Sequence, residues 1–297
     1  MAARPALAAA AGAIWPLLTG PARTGAVLGS FSRALITGLP GADGPQVVSL
    51  LGNGAAGVPN GVRISGGPVS FGAFRGGDPV TVGDGCVRLG DLQIRVVRSW
   101  SSRVPRIRPA GAGISALAAA AQRAELGVPP EPVAALERAV TSAGARDPAD
   151  PTVAVAVAGL VGLGPGLTPG GDDVLTGLMA ALHACGRADL AHRIGAAARP
   201  GIAQRTTALS ADLLRLAADG HAFQEALLVL RELHRGGRPD TIDGAPDRLG
   251  APLQRAIGRL LSIGHTSGAG LATGLAMGLR CGTSAPTGGP PAGQEVR

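Results

Sequence analysis

The spacing of apolar and polar positions divides the chain into two textures. From Gly25 to about Val104, apolar residues come in short runs broken by glycine. Ala26–Leu28, Val47–Leu51, Val62–Ile64, Val80–Val82, Cys86–Leu89 and Ile94–Val97 read as strands, because short runs bounded by turn residues suit a half-buried sheet. Gly83-Asp84-Gly85 is a hairpin signal, Gly90-Asp91 a second turn, and Pro59-Asn60-Gly61 reads as a plain turn. Trp100 follows the last strand and is expected to cover this small core. Residues 1 to about 22 are rich in alanine and read as a helix or a disordered lead.

Beyond a connector from Ser101 to Gly113 the period changes to that of helices. Ile114–Leu126, Pro132–Ala143, Pro151–Leu160, Val174–Leu182, Ala188–Ala198, Thr206–Ala218, Phe223–Leu233, Leu249–Leu261 and Leu271–Leu279 are the candidates. Pro129-Pro130, Asp147 to Asp150, Pro200-Gly201 and Gly236 to Gly244 separate them. The expectation is an α+β protein. A β-rich N-terminal domain (residues 1–108), an antiparallel sheet or a small barrel, precedes a mainly helical domain with glycine-rich loops (109–282). A Pro-, Gly- and Ser-rich tail (283–297) is expected to be disordered.

Composition narrows the chemistry. Hydrophobic residues make up 45% of 297, but aromatics only 2%, with no tyrosine, so the core rests on Ala, Val, Leu and Ile. The chain contains no lysine, and all 27 basic side chains are arginine. That excludes a Schiff-base lysine and a lysine-dependent phosphate loop. The net charge of +7 invites a nucleic-acid reading. Yet the arginines are scattered, except for Arg95, Arg98, Arg103, Arg106 and Arg108, and stacking partners are nearly absent. No nucleic-acid partner is expected. Cys86, Cys185 and Cys281 are odd in number and far apart, which suits neither zinc nor a disulfide framework and fits a reducing, cytoplasmic setting. Met1 to Leu18 has the look of a secretory signal but is interrupted by Pro16. No membrane span is expected.

One stretch stands apart: Gly162-Leu163-Gly164-Pro165-Gly166-Leu167-Thr168-Pro169-Gly170-Gly171-Asp172-Asp173. Its glycines and prolines cannot continue either neighbour, so it is a loop feeding the helix that begins near Val174. Thr168 or Asp172 suits the N-cap and Pro169 the first turn. Backbone N–H groups bared at a helix start suit an anion, yet Asp172 and Asp173 would repel one. A Mg²⁺ ion bridging the two is one resolution; a cationic or polar ligand is the other. Gly264-His265-Thr266-Ser267-Gly268-Ala269-Gly270 repeats the theme, and Arg205-Thr206-Thr207 with Ser210 forms a third polar patch. Gly177 and Gly274 within their helices imply close packing that brings the loops together. His183, His192, His221 and His234 lack metal-ligand spacing; His265 stands out through its loop.

Together these motifs resemble the AllH-type subunit of oxamate carbamoyltransferase, over about Gly25 to Gly282. Gly170 departs from a serine common there, and Ala269 from an aspartate. The resemblance implies a transferase of anaerobic purine (allantoin) catabolism that interconverts oxalurate and phosphate with oxamate and carbamoyl phosphate. FdrA-like and AllG-type subunits would be its partners. Asp172 and Asp173 would then be catalytic, one of them orienting the amide nitrogen or holding Mg²⁺. Gly164, Gly166, Thr168, Gly170, Gly171, Arg205, Thr206, Ser210, His265, Thr266, Ser267 and Gly268 would bind the small anionic substrate. On that reading Asp172→Asn abolishes turnover with little loss of stability. A non-catalytic assembly subunit and a small-molecule kinase-like phosphate binder are the alternatives.

Overall fold

The computed structural model describes residues 6–42, 44–65, 69–142, 151–236 and 250–283. The expected break at Asp147 to Asp150, most of the Gly236–Gly244 loop and the tail past residue 283 lie outside them.

Eight strands close into a barrel: β1 (Ala6–Ala11), β2 (Arg23–Ser30), β3 (Ala34–Leu39), β4 (Gln46–Leu51), β5 (Gly61–Ile64), β6 (Pro79–Gly83), β7 (Cys86–Leu89) and β8 (Leu92–Trp100). Their order around the barrel is β1-β5-β4-β3-β2-β6-β7-β8. Most neighbours are antiparallel, but β1–β8 and β4–β5 run parallel. The β-rich half is therefore a closed barrel rather than an open antiparallel sheet.

Two strands depart from the sequence reading. The alanine-rich lead forms β1, then a 3₁₀ turn (Gly12–Ile14) and a short helix, α1 (Trp15–Thr19). Alanine's helix preference loses here because β1 closes the barrel, and Ala8, Ala10 and Ala11 bury their small side chains in its narrow interior. The apolar run Ala34–Leu39 forms β3, buried almost throughout. It lacks alternation because both of its faces are covered. Leu35 and Leu39 point into the barrel with Val48 and Leu50 of β4, whereas Ile36 packs outward with Val47 and Leu51 against the helices. The β3–β4 pair is thus the joint between the two halves.

The turns follow their residues. Asp84 (φ 52°) and Gly85 (φ 74°) make a two-residue hairpin between β6 and β7, with the left-handed pair a type I′ turn demands. Trp100 packs against the barrel core, as expected.

The helices are α2 (Gly111–Gln122), α3 (Pro130–Thr141), α4 (Thr152–Ala158), α5 (Gly170–Ala184), α6 (Ala188–Ala198), α7 (Ile202–Arg205), α8 (Ala208–Ala218), α9 (Gln224–Gly236), α10 (Gly250–Leu261) and α11 (Ser267–Thr283). The glycine-rich loop feeds α5, whose residues are buried from Gly170 through Leu182. Apolar side chains surround it, with α11 as its closest partner. A Cβ on Gly274 would lie 2.0 Å from the Val174 carbonyl oxygen, and one on Gly177 would lie 2.2 Å from that of Leu271. The glycines let the two backbones touch, so the helices run together from their N-termini. No helix among the described residues is long and apolar enough to cross a membrane.

Candidate functional site

The loop before α5 is shaped by Gly162, Gly164 and Gly166, at φ 74°, 105° and 101°, values that exclude most other residues. Pro169 rather than Thr168 or Asp172 occupies the N-cap position, and it supplies no side-chain cap. Gly171 N–H donates to the Leu163 carbonyl, which folds the loop back on itself. A serine at position 170 would not fit here. Its Cβ would come 2.8 Å from the Leu126 carbonyl oxygen, so glycine is the residue this packing admits.

Asp172 is 1% exposed, and its carboxylate reaches across to other elements. Oδ1 accepts from the Gly162 N–H at 2.8 Å. Oδ2 accepts from Thr206 Oγ1 at 2.5 Å and Ser210 Oγ at 2.7 Å. The carboxylate therefore clasps the glycine loop to the start of α8, where Thr207 caps the helix by accepting from the Ser210 N–H. Three donors and a nearby positive helix end offset the cost of burying its charge.

Asp173 is buried too, at 2% exposure, but differently. Its Oδ2 has no hydrogen-bond partner. Burial raises its carboxyl well above the ordinary aspartate range; the Thr168 and Ser267 hydroxyls beside it oppose the rise, and the neighbouring Asp172 charge adds to it. Those two hydroxyls bridge the loop before α5 to the start of α11, 2.8 Å apart. The N-termini of α5, α8 and α11 thus converge on two buried carboxylates. The pair is not arranged around a divalent cation: Asp172 faces donors only, and helix dipoles point their positive ends inward. Among the described residues no group of three or more His, Cys, Asp or Glu is arranged to hold a metal.

Next to this cluster, between the barrel and the helices, lies a cavity of about 700 Å³. Of the residues singled out by sequence, Gly166, Thr168, His265, Thr266 and Ser267 line it. Gly164, Gly170, Gly171, Gly268, Thr206, Ser210 and both aspartates are not among its lining residues. Arg205 is directed elsewhere: its guanidinium donates to the carbonyls of Ala158 and Val161, holding the end of α4. His265 sits at the rim, its side chain 88% exposed and 3.8 Å from Glu125.

The barrel supplies lining residues that no motif announced. Arg33, Ser32 and Ser49 come from the β2–β3 turn and β4, and Arg259 and Ser262 from the end of α10 and the turn after it. Glu225 also lines the cavity, its carboxylate engaged by the Gly57 N–H at 3.1 and 3.2 Å. Pro59-Asn60-Gly61 proves to be more than a turn. Asn60, fully buried, accepts from Ser49 Oγ at 3.2 Å and donates to Asp212 Oδ2 at 2.9 Å. Asp212 in turn pairs with Arg215 at 2.7 Å. This chain of polar groups joins the cavity wall on β4 to α8. A buried asparagine in a glycine-flanked turn gives no local signal of it, because its partner is far along the chain.

His183 and His221 are held by hydrogen bonds within the fold. His183 bonds the Ala218 carbonyl, and His221 bonds Ser102 Oγ at 2.9 Å; burial lowers the pKa of both, His221 to about 4.

Residues 160–279 match the family model of oxamate carbamoyltransferase subunit AllH. The matched segment begins just before the glycine-rich loop and ends within α11. It takes in all three polar loops and the α5–α11 pair, and none of the barrel. The likeness carried by those motifs therefore holds for the part of the chain that builds the helix convergence. No curated protein and no solved structure matches the chain.

Proposed function

We propose that this chain is a subunit of an oxamate carbamoyltransferase-like complex, and that its cavity holds the small anionic substrates. The observation that carries the reading is the convergence of three helix N-termini beside an arginine-bearing cavity, within the segment that matches AllH. In the transfer, the oxamate nitrogen attacks the carbamoyl carbon of carbamoyl phosphate. The C–O bond to phosphate breaks, and the nitrogen's proton leaves with the departing phosphate or through a nearby hydroxyl. Arg33 and Arg259 would neutralise the carboxylate and phosphate. The Thr168 and Ser267 hydroxyls would hydrogen-bond the reacting amide, with Asp173 behind them setting their orientation. The chain would act in the cytoplasm, in purine and allantoin catabolism, alongside FdrA-like and AllG-type subunits.

A non-catalytic role within the same complex has its own support in Asp172, whose oxygens are spent on internal bonds. The two readings part on the purified protein. Its thermal stability is measured with carbamoyl phosphate, oxamate, oxalurate and ATP, each with and without Mg²⁺. Ligand at ~100 times its dissociation constant adds roughly 2.7 kcal/mol. A shift with oxamate or carbamoyl phosphate that Thr168→Val weakens supports the substrate site. No shift with any of them favours the assembly role, and a shift with ATP alone overturns both.

A further inference from the structure

The cavity is larger and more apolar than carbamoyl transfer needs. At about 700 Å³ it falls within the range of pockets that enclose drug-sized ligands. Phe31 and Leu167 line it with 45% and 40% of their surface exposed, and Ala55, Ala56 and Ile263 line it partly buried, over a floor of core side chains such as Ile36 and Phe223. Oxamate, oxalurate and carbamoyl phosphate carry no hydrocarbon group that could use such a wall. Left to water, an apolar surface of this kind costs free energy. Its polar groups are of a definite type as well. Arg33 and Arg259 supply two cationic charges against the one carboxylate of Glu225, which accepts from the Gly57 N–H, and the serine and threonine hydroxyls supply donors.

We infer that the cavity binds an organic acid with an apolar body, its carboxylate held by Arg33 and Arg259 and its hydrocarbon laid on Phe31, Leu167, Ala55, Ala56 and Ile263. This goes beyond the carbamoyl-transfer reading. It names a ligand, whether a larger substrate or an effector, that the small anions do not represent. Arg259 is exposed, so its replacement leaves the fold intact. Ala34 lines the cavity from β3 and is only partly buried, so a larger side chain there takes up ligand space.

The test is calorimetric titration of the full chain with acetate, butyrate, hexanoate and octanoate, with hexanol as the uncharged control and oxamate in parallel. Affinity is expected to rise up to about four-fold per buried methylene, then level off once the cavity is full. Arg259→Gln is expected to weaken hexanoate about ten-fold or more while leaving hexanol unchanged. Ala34→Phe is expected to move the plateau to a shorter acid. Affinity independent of chain length, or hexanoate binding untouched by both substitutions, overturns the inference. The oxamate titration separates the two readings. Oxamate binding without chain-length dependence keeps carbamoyl transfer and removes the apolar ligand; length-dependent acid binding without oxamate binding does the reverse.

Discussion

Asp172 and Asp173 are adjacent in sequence and opposite in circumstance. Asp172 has three donors, so replacing it with asparagine removes a charge-assisted acceptor and turns an amide N–H₂ toward hydroxyl or backbone donors. The expected cost is about 1–3 kcal/mol of stability in urea unfolding, in contrast to the little loss of stability expected from the sequence. An unchanged midpoint would mean the clasp is dispensable. Asp173 makes a pH-dependent contribution of determinable sign. Its folded-state pKa is raised, so its contribution is intact below the ordinary aspartate value near 3.8. As pH climbs from there through the elevated value, the unfolded chain ionises first and stability is lost. Asp173→Asn is expected to remove that decline. Unfolding free energies of the two proteins between pH 4 and 8 should diverge in favour of the variant as pH rises; convergence would contradict the assignment.

At the scale of elements, the α5–α11 contact decides where the loops sit. Glycines at 270, 274 and 278 put one small position on each turn of α11 facing α5. Gly274→Ala drives a methyl into the Val174 carbonyl oxygen, and an overpacking loss of about 1–3 kcal/mol or more is expected. Gly258, in the middle of α10, has open space around its would-be Cβ. There the same change is expected to stabilise by up to about 1 kcal/mol through helix propensity. Paired thermal unfolding of the two variants tests the idea; equal effects would show that propensity, not contact, dominates at Gly274. The presence of the helix pair was legible from Gly177 and Gly274. The partner carbonyls were not, because they depend on how the helices register.

Across the whole molecule, the cavity exists only because barrel and helices meet, and the Ser49–Asn60–Asp212 chain crosses that junction. Removing Asn60 leaves Asp212 buried with one donor fewer. Asn60→Ala is therefore expected to lower stability by about 1–3 kcal/mol, and Asp212→Ala to lower it by a similar amount. Contacting partners are not additive, so the double variant should cost less than the sum by 0.5 kcal/mol or more. Strict additivity in a double-mutant cycle would show that the two halves are not coupled through this bond.

The sequence by itself determined the local features: hairpin turns at Asp84-Gly85 and Gly90-Asp91, the helical second half, the glycine loops and the three polar motifs. Each of these rests on residues a few positions apart, where backbone sterics and apolar period suffice. Barrel closure, the alanine strand β1, the doubly covered β3, the clasp on Asp172, the outward turn of Arg205 and the cavity with its arginines were decided by tertiary structure. Those depend on which distant surfaces bury one another. An alanine run is a strand when its neighbours leave room only for methyl groups. A carboxylate is a clasp or an acid with one oxygen left unbonded according to which donors the fold carries to it.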